Sequence, residues 1–241
     1  MASFDGQVAV VAGASTGIGR AVALELAAQG AAVWLLARRA DLLEEVAAEA
    51  RRGGGRAWHC AMDLCRDEDL VRFHGRLQSD GAQVDVLVHS AGMHAFGPIA
   101  EAPVDELDAQ YRANVRAPYV LTQLLVPMLR ARRGQIVFVN SSVGLQARAE
   151  VGAFAATQHA LKALADALRD ELNADGVRVL SAYPGRTASP RQAAIHAKEG
   201  KIYRPERLLQ PADVAAVIVQ ALAMERTAEV TDIRVRPMQK P

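Results

Sequence analysis

Apolar runs of strand length alternate with amphipathic, helix-length segments almost from one end of the chain to the other, and this rhythm limits the fold more than any other feature. The strand candidates are "QVAVVA" (7–12), "AAVWLLA" (31–37), "RAWHCAM" (56–62), "VDVLVHS" (84–90), "QIVFVNS" (135–141), "VRVLSAY" (177–183) and "VTDIRV" (230–235). They are continuously apolar rather than strictly alternating, as strands covered on both faces must be. Helical patterns fill the intervals at 17–29, 41–51, 67–78, 105–131, 152–173 and 211–224. Repeated βα units imply an α/β fold, a doubly wound and mainly parallel seven-stranded sheet. At 241 residues, with no linker, repeat or low-complexity segment, the chain reads as a single domain, 1–241, around one sheet. The "RRGGGR" at 51–56 is a helix stop followed by a turn, not a boundary.

Several function classes fall away on composition. A net charge of +1 gives no global electrostatic case for nucleic acid or an anionic membrane as partner. No apolar run reaches the length of a membrane span. "MASFDGQVAVVAGAS" has no basic segment before its apolar run, so it does not read as a signal peptide, and a cytoplasmic protein is expected. Cys60 and Cys65, in "CAMDLC", lack a third or fourth ligand, so no metal site is expected. Two isolated thiols fit a reducing compartment.

The first strand runs directly into "AGASTGIGRAVALELAAQG". Gly13, Gly17 and Gly19 form a G-x-x-x-G-x-G spacing between a strand and a helix, with Ser15, Thr16 and Ile18 completing the turn. Such a turn lets backbone N–H groups and a helix N-terminus face a pyrophosphate, which marks a Rossmann-type dinucleotide site. The second strand ends "LLARR": Ala37 stands where an acid would take a ribose 2′-hydroxyl, and Arg38 and Arg39 follow. A missing acid beside guanidinium groups suits a 2′-phosphate, so NADP is favoured over NAD. An N-cap role for Asp41 in the next helix would weaken this only slightly.

One segment fits no βα unit. Residues 187–210, "TASPRQAAIHAKEGKIYRPERLLQ", are polar, carry two prolines and follow the C-terminal end of a strand, where open α/β sheets bind ligands. A mobile substrate lid is the functional reading there, with an irregular surface excursion as the alternative. Its basic residues Arg191, Lys198, Lys201, Arg204 and Arg207 could attract an acidic substrate, but Glu199 and Glu206 among them favour a solvated face.

These features together resemble the short-chain dehydrogenase/reductase family over nearly the whole chain. The loop "GASTGIG" is similar to the family loop, with Ala12 where a Thr is common, and "AMDL" puts Asp63 and Leu64 at the adenine. "HSAG" (89–92) stands where "NNAG" is usual, leaving Ser90, Ala91 and Gly92 beside the ribose. "ANV" supplies Asn114 at the family's helix-kinking position, and "VNSS" its catalytic serine, Ser141 or, preferred, Ser142. "YPGRTASP" supplies Pro184, Gly185 and Thr187 near the nicotinamide. The resemblance implies an oxidoreductase acting on a small molecule and assembling as a homodimer or homotetramer through helices 105–131 and 152–173.

The family's Tyr-x-x-x-Lys pair is missing. Phe154 lies thirteen residues after Ser141 and twelve after Ser142, the family's spacing, whereas Gln158 lies sixteen after Ser142. Phe154 and Gln158 therefore occupy the Tyr and Lys positions, and Lys162 is one turn further on, about 6 Å away. Phe154 has no exchangeable proton; Gln158 can hydrogen-bond a ribose but carries no charge. Losing a general acid costs about 10²–10⁴ in rate.

Three explanations stay open. On the first, another group has taken over proton donation; His94 in "AGMHAFGP" is the speculative choice, since an imidazole can donate a proton near neutral pH, against an ordinary structural or solvent-facing histidine. His159 ranks lower because adjacent helical positions diverge by about 100°, and Tyr183 sits where the family often carries a non-catalytic aromatic. On the first explanation the chain reduces a carbonyl or imine with a non-standard proton donor. On the second, the scaffold runs non-redox chemistry of cyclase, isomerase or lyase type. On the third, the protein is a silent NADP-binding subunit or an inactivated variant.

Overall fold

A computed structural model describes residues 3–239; the ends of the expected 1–241 domain, 1–2 and 240–241, lie outside the described residues. Among the described residues seven strands and eight α-helices follow one another: β1 (Val8–Ala12), α1 (Gly17–Ala28), β2 (Ala32–Ala37), α2 (Ala40–Arg52), β3 (Arg56–Ala61), α3 (Asp67–Ser79), β4 (Val86–His89), α4 (Val104–Tyr111), α5 (Ala117–Arg132), β5 (Gln135–Val139), α6 (Gly152–Leu172), β6 (Arg178–Pro184), α7 (Pro190–Lys198), α8 (Pro211–Leu222) and β7 (Asp232–Val235). They form one sheet in the order β3-β2-β1-β4-β5-β6-β7, and every neighbouring pair is parallel. The order reverses between β1 and β4, the place where the connections diverge and a ligand crevice opens.

The pleat sorts the strands' apolar residues into two layers. Ala9 and Val11 of β1 face one side with Val22 and Leu26 of α1 and Val214 and Ile218 of α8. Val10 and Ala12 face the other, with Leu70 and Phe73 of α3, Leu125 of α5 and Leu161 of α6. Leu26, Leu87 and Leu125 are completely buried, each burial stabilising by about 1.5–3 kcal/mol. At the β3 edge Trp58 stacks on Trp34 with ring centroids 5.5 Å apart. Phe73 meets Trp34 edge-on at 5.7 Å, and the Arg76 guanidinium lies 4.7 Å from its ring centre. Among the described residues no helix is long and apolar enough to cross a membrane.

Three expectations are corrected. The single helix expected over 105–131 is two helices joined by a π-turn, Arg112–Arg116. Pro118 has no N–H to give the Asn114 carbonyl four residues back, and the Asn114 side chain is engaged elsewhere, so the α-helical ladder cannot run through. Segment 187–210 is not irregular throughout: it contains α7 and a 3₁₀ turn, Pro205–Arg207, and a parallel bridge between Thr187 and Leu209 closes its base. Ser189 caps α7, accepting from Gln192 N at 3.1 Å, with Pro190 as the first helical residue. Finally, α2 starts at Ala40 with Arg39 at the N-cap position, which puts Asp41 in the first turn.

Leu87→Ala, in the middle of the sheet, should lower the unfolding free energy by about 2–5 kcal/mol. Urea denaturation checks this; a midpoint equal to the parent's would contradict the packing described.

Candidate active site

The turn between β1 and α1 is shaped by close approach. Gly13 has φ of +85°, and a Cβ there would lie 2.4 Å from the Ala91 nitrogen, so the end of β1 rests on the backbone that follows β4. Ser15 continues the turn, and Thr16 occupies the N-cap position of α1 without a side-chain capping bond; the helix's first turn holds no acid. The N–H groups of Gly17, Ile18 and Gly19 thus form an uncompensated positive end. A Cβ on Gly17 would find only Ser189 within 4 Å, at 3.8 Å, so the space over the turn is open.

Other predicted cofactor contacts line the same edge. Arg38 and Arg39 follow β2, both exposed, and neither pairs with a carboxylate among the described residues. Asp63 and Leu64 follow β3; one Asp63 oxygen accepts from Cys65 N at 3.0 Å. Ser90, Ala91 and Gly92 follow β4. Past β6, Gly185 N donates to the Val235 carbonyl at 2.7 Å, and Thr187 Oγ1 donates to the Gly185 carbonyl at 3.1 Å.

Asn114 organises the reacting end. From the π-turn its Oδ1 accepts from Met93 N at 2.6 Å, and its Nδ2 donates to the Met93 carbonyl at 2.9 Å and to Thr157 Oγ1 at 3.0 Å. Thr157 in turn donates to the Phe154 carbonyl at 2.7 Å. Buried Asn140 accepts from Ser141 N at 2.7 Å and donates to the Gln158 carbonyl at 3.0 Å. Ser141 caps the 3₁₀ turn Ser142–Gly144, accepting from Val143 N, while Ser142 is exposed. Ser142 is accordingly the freer hydroxyl. Gln158 is buried. Lys162 pairs with Asp166 on its own helix, and His159 turns its Nδ1 to the Ala155 carbonyl at 2.9 Å, so neither reaches the Gln158 position.

His94 lies against Phe154. Its ring sits 4.4 Å from the Phe96 and Phe154 rings, and its Nδ1 is buried with no hydrogen-bond partner among the described residues. Burial, aided by the nearby Arg191 charge, pushes its pKa down to about 4. At neutral pH His94 is therefore uncharged and carries a single ring N–H. His89, under the site, is also neutral, with its pKa pushed to about 3 by burial. It shares a 2.8 Å hydrogen bond with Thr122 Oγ1 and stacks on Phe138.

Two features had no clear signal in the sequence. Behind Phe96 lies a cavity of about 310 Å³, lined by Gly97, Ile99, Leu107, Gln110 and Ala153 among others. Fully buried Gln110 accepts from Ala95 N at 3.1 Å through Oε1, while its Nε2 has no partner among the described residues. Across the crevice, Arg191 of α7 reaches back to donate to the Gly92 carbonyl at 2.6 Å. No group of His, Cys, Asp and Glu among the described residues could hold a metal ion.

The family model for short chain dehydrogenases matches residues 7–200. The chain belongs to the short-chain dehydrogenase family. A short-chain type dehydrogenase/reductase of Sinorhizobium fredii is 33% identical over 236 residues, covering 96% of this chain and 91% of that one. Among solved structures, a short chain dehydrogenase of Shigella flexneri complexed with NADP is 30% identical, covers 97% of this chain and 98% of that one, and superposes with a TM-score of 0.89. One from Escherichia coli complexed with NADPH gives 30% identity, the same coverage and a TM-score of 0.88. This short-chain dehydrogenase thus shares the fold of its relatives along nearly its full length, with Phe154 and Gln158 at the head of α6.

The two buried histidines set a pH dependence. Unfolded, each takes up a proton as pH falls through its ordinary value of 6.5, while the folded forms resist until about 4 and about 3. Their contribution is whole above the unfolded value and is lost as pH falls toward the folded ones. Urea midpoints should therefore fall between about pH 7 and about pH 4.5, and His94→Leu should flatten part of that slope. An unchanged slope would show that His94 is not held neutral.

Proposed function

We propose that this short-chain dehydrogenase binds NADP(H) and reduces a carbonyl or imine of a small organic molecule, with a proton source other than residue 154. The observation that carries the reading is the uncapped N-terminus of α1 beside Arg38 and Arg39 with no carboxylate partners among the described residues, on a fold whose close structural neighbours are complexed with NADP or NADPH. The loop from Gly13 to Gly19 would hold the pyrophosphate, Arg38 and Arg39 a 2′-phosphate, Asp63 the adenine amino group and Gln158 the ribose. When bound, the cofactor would supply the hydride.

The chain's own groups then narrow the chemistry. Ser142 can donate a hydrogen bond to the reacting oxygen or nitrogen. Neutral His94 has one N–H to polarise it, a role an uncharged imidazole can fill. Neither brings an acidic proton at neutral pH, so a protonated imine, which carries its own, meets the site's limits better than a ketone. The same lack of an acid favours a second reading, a silent NADP-binding subunit. Helices α5 and α6 are proposed as the surfaces of a homodimer or homotetramer; Tyr119 is half exposed on the first of them.

Calorimetric titration should give NADPH binding at micromolar affinity or better, and Arg38→Ala should weaken NADPH far more than NADH. Absence of binding to either nucleotide would exclude the redox reading. In a second test, Phe154→Tyr with Gln158→Lys should raise NADPH-dependent reduction of aldehydes and ketones by about 10²–10⁴. If the double variant instead abolishes an activity the parent has, the parent's chemistry requires the Phe/Gln pair.

A further inference from the structure

Arg191 stands out among the charges around the crevice. The lid segment 187–210 carries five basic and two acidic residues. One of those acids, Glu199, is already held: Arg186 Nη2 lies 2.6 and 2.8 Å from its two oxygens and Lys201 Nζ 2.9 Å from one of them. These cations keep the Glu199 carboxyl well down, at about 2, so it stays ionised and engaged. Arg191 has no such partner among the described residues. It is anchored by one hydrogen bond from Nη2 to the Gly92 carbonyl, two residues before His94. The residue is exposed, and the protein packed around its guanidinium lowers its pKa. A guanidinium with one donor on a backbone carbonyl and no counter-charge keeps its remaining donors for an anion.

Arg191 lies near His94, whose ring packs against the Phe96 and Phe154 rings, and its charge acts there together with those of Glu199 and Lys198. A guanidinium with one N–H occupied still presents donors in a planar fork, the geometry that suits a carboxylate. We propose that Arg191 determines substrate specificity and that the substrate is a carboxylate-bearing molecule with an apolar, ring-sized body. The carboxylate sits on Arg191 and the body lies against the His94, Phe96 and Phe154 rings. This rests on the reading of the crevice as a cofactor and substrate site. A diphosphate of the cofactor has related chemistry, and the experiment separates the two.

The test uses the full chain, with and without saturating NADPH, and titrates phenylacetate and phenylpyruvate against their uncharged amides by calorimetry. The acids should bind about 10–100-fold more tightly than the amides, the range for a hydrogen bond to a charged group. Arg191→Met should remove that preference without changing NADPH affinity, and Arg191→Lys should restore part of it. Circular dichroism and melting of both variants report whether they fold. Equal binding of acid and amide by the parent overturns the proposal, as does no binding of either at millimolar concentration. A loss of NADPH affinity in Arg191→Met with the acid preference retained assigns the guanidinium to the cofactor and also overturns it. Should the parent fail to bind NADPH, the cofactor reading fails, but the comparison of acid with amide on the cofactor-free chain still decides the role of Arg191.

Discussion

The contact of Gly13 with the Ser90–Ala91 backbone governs how the ends of β1 and β4 meet. Nothing larger than hydrogen fits there. With no side chain between them, the two strands stay adjacent to their last residues and only then diverge, at the reversal of the sheet order. Helix α1 leaves in one direction and the chain to α4 in another, and the crevice is the space between. The loop's backbone donors, the arginines past β2 and the serine past β5 are all aimed by this arrangement of strand ends.

Asn114 performs the complementary task inside the molecule. Because a π-turn replaces a regular helical turn, its side chain can bond the Met93 backbone on one side and Thr157 on the other. The loop carrying His94 and the helix carrying Phe154 are thereby fixed against each other. The two ends of the crevice have opposite character. Around the α1 N-terminus the groups are positive and open to solvent; around Phe154 they are aromatic and partly dry. Charge returns at the lid, where Arg186, Glu199 and Lys201 satisfy one another and Arg191 does not join them.

The sheet, its strand limits to within a few residues and the glycine turn were all legible in the sequence, because each is written in local periodicity or in residues a few positions apart. Family membership was legible for the same reason. The π-turn was not, since it depends on Asn114 finding Met93 and Thr157 at sequence separations of 21 and 43. The charge state of His94 was also out of reach: it follows from the rings of Phe96 and Phe154 and from Arg191, which only the fold collects. Helix α7 is a different case. Ser189 followed by Pro190 is a local start signal, and the charge-rich composition of the segment obscured it. The reach of Arg191 to Gly92, 99 residues away, has no sequence signature at all.

The stacked pair at the β3 edge has an optical consequence. Trp34 and Trp58 are the protein's two tryptophans, and they touch each other on adjacent strands. Every indole signal from this molecule therefore originates at one border of the sheet, on the side of the α1 turn and the Arg38 edge. Emission is a local thermometer of that half. Rearrangements confined to α7 and the far strands are dark to it, so an unchanged tryptophan spectrum carries no information about the opening or closing of the segment over the crevice.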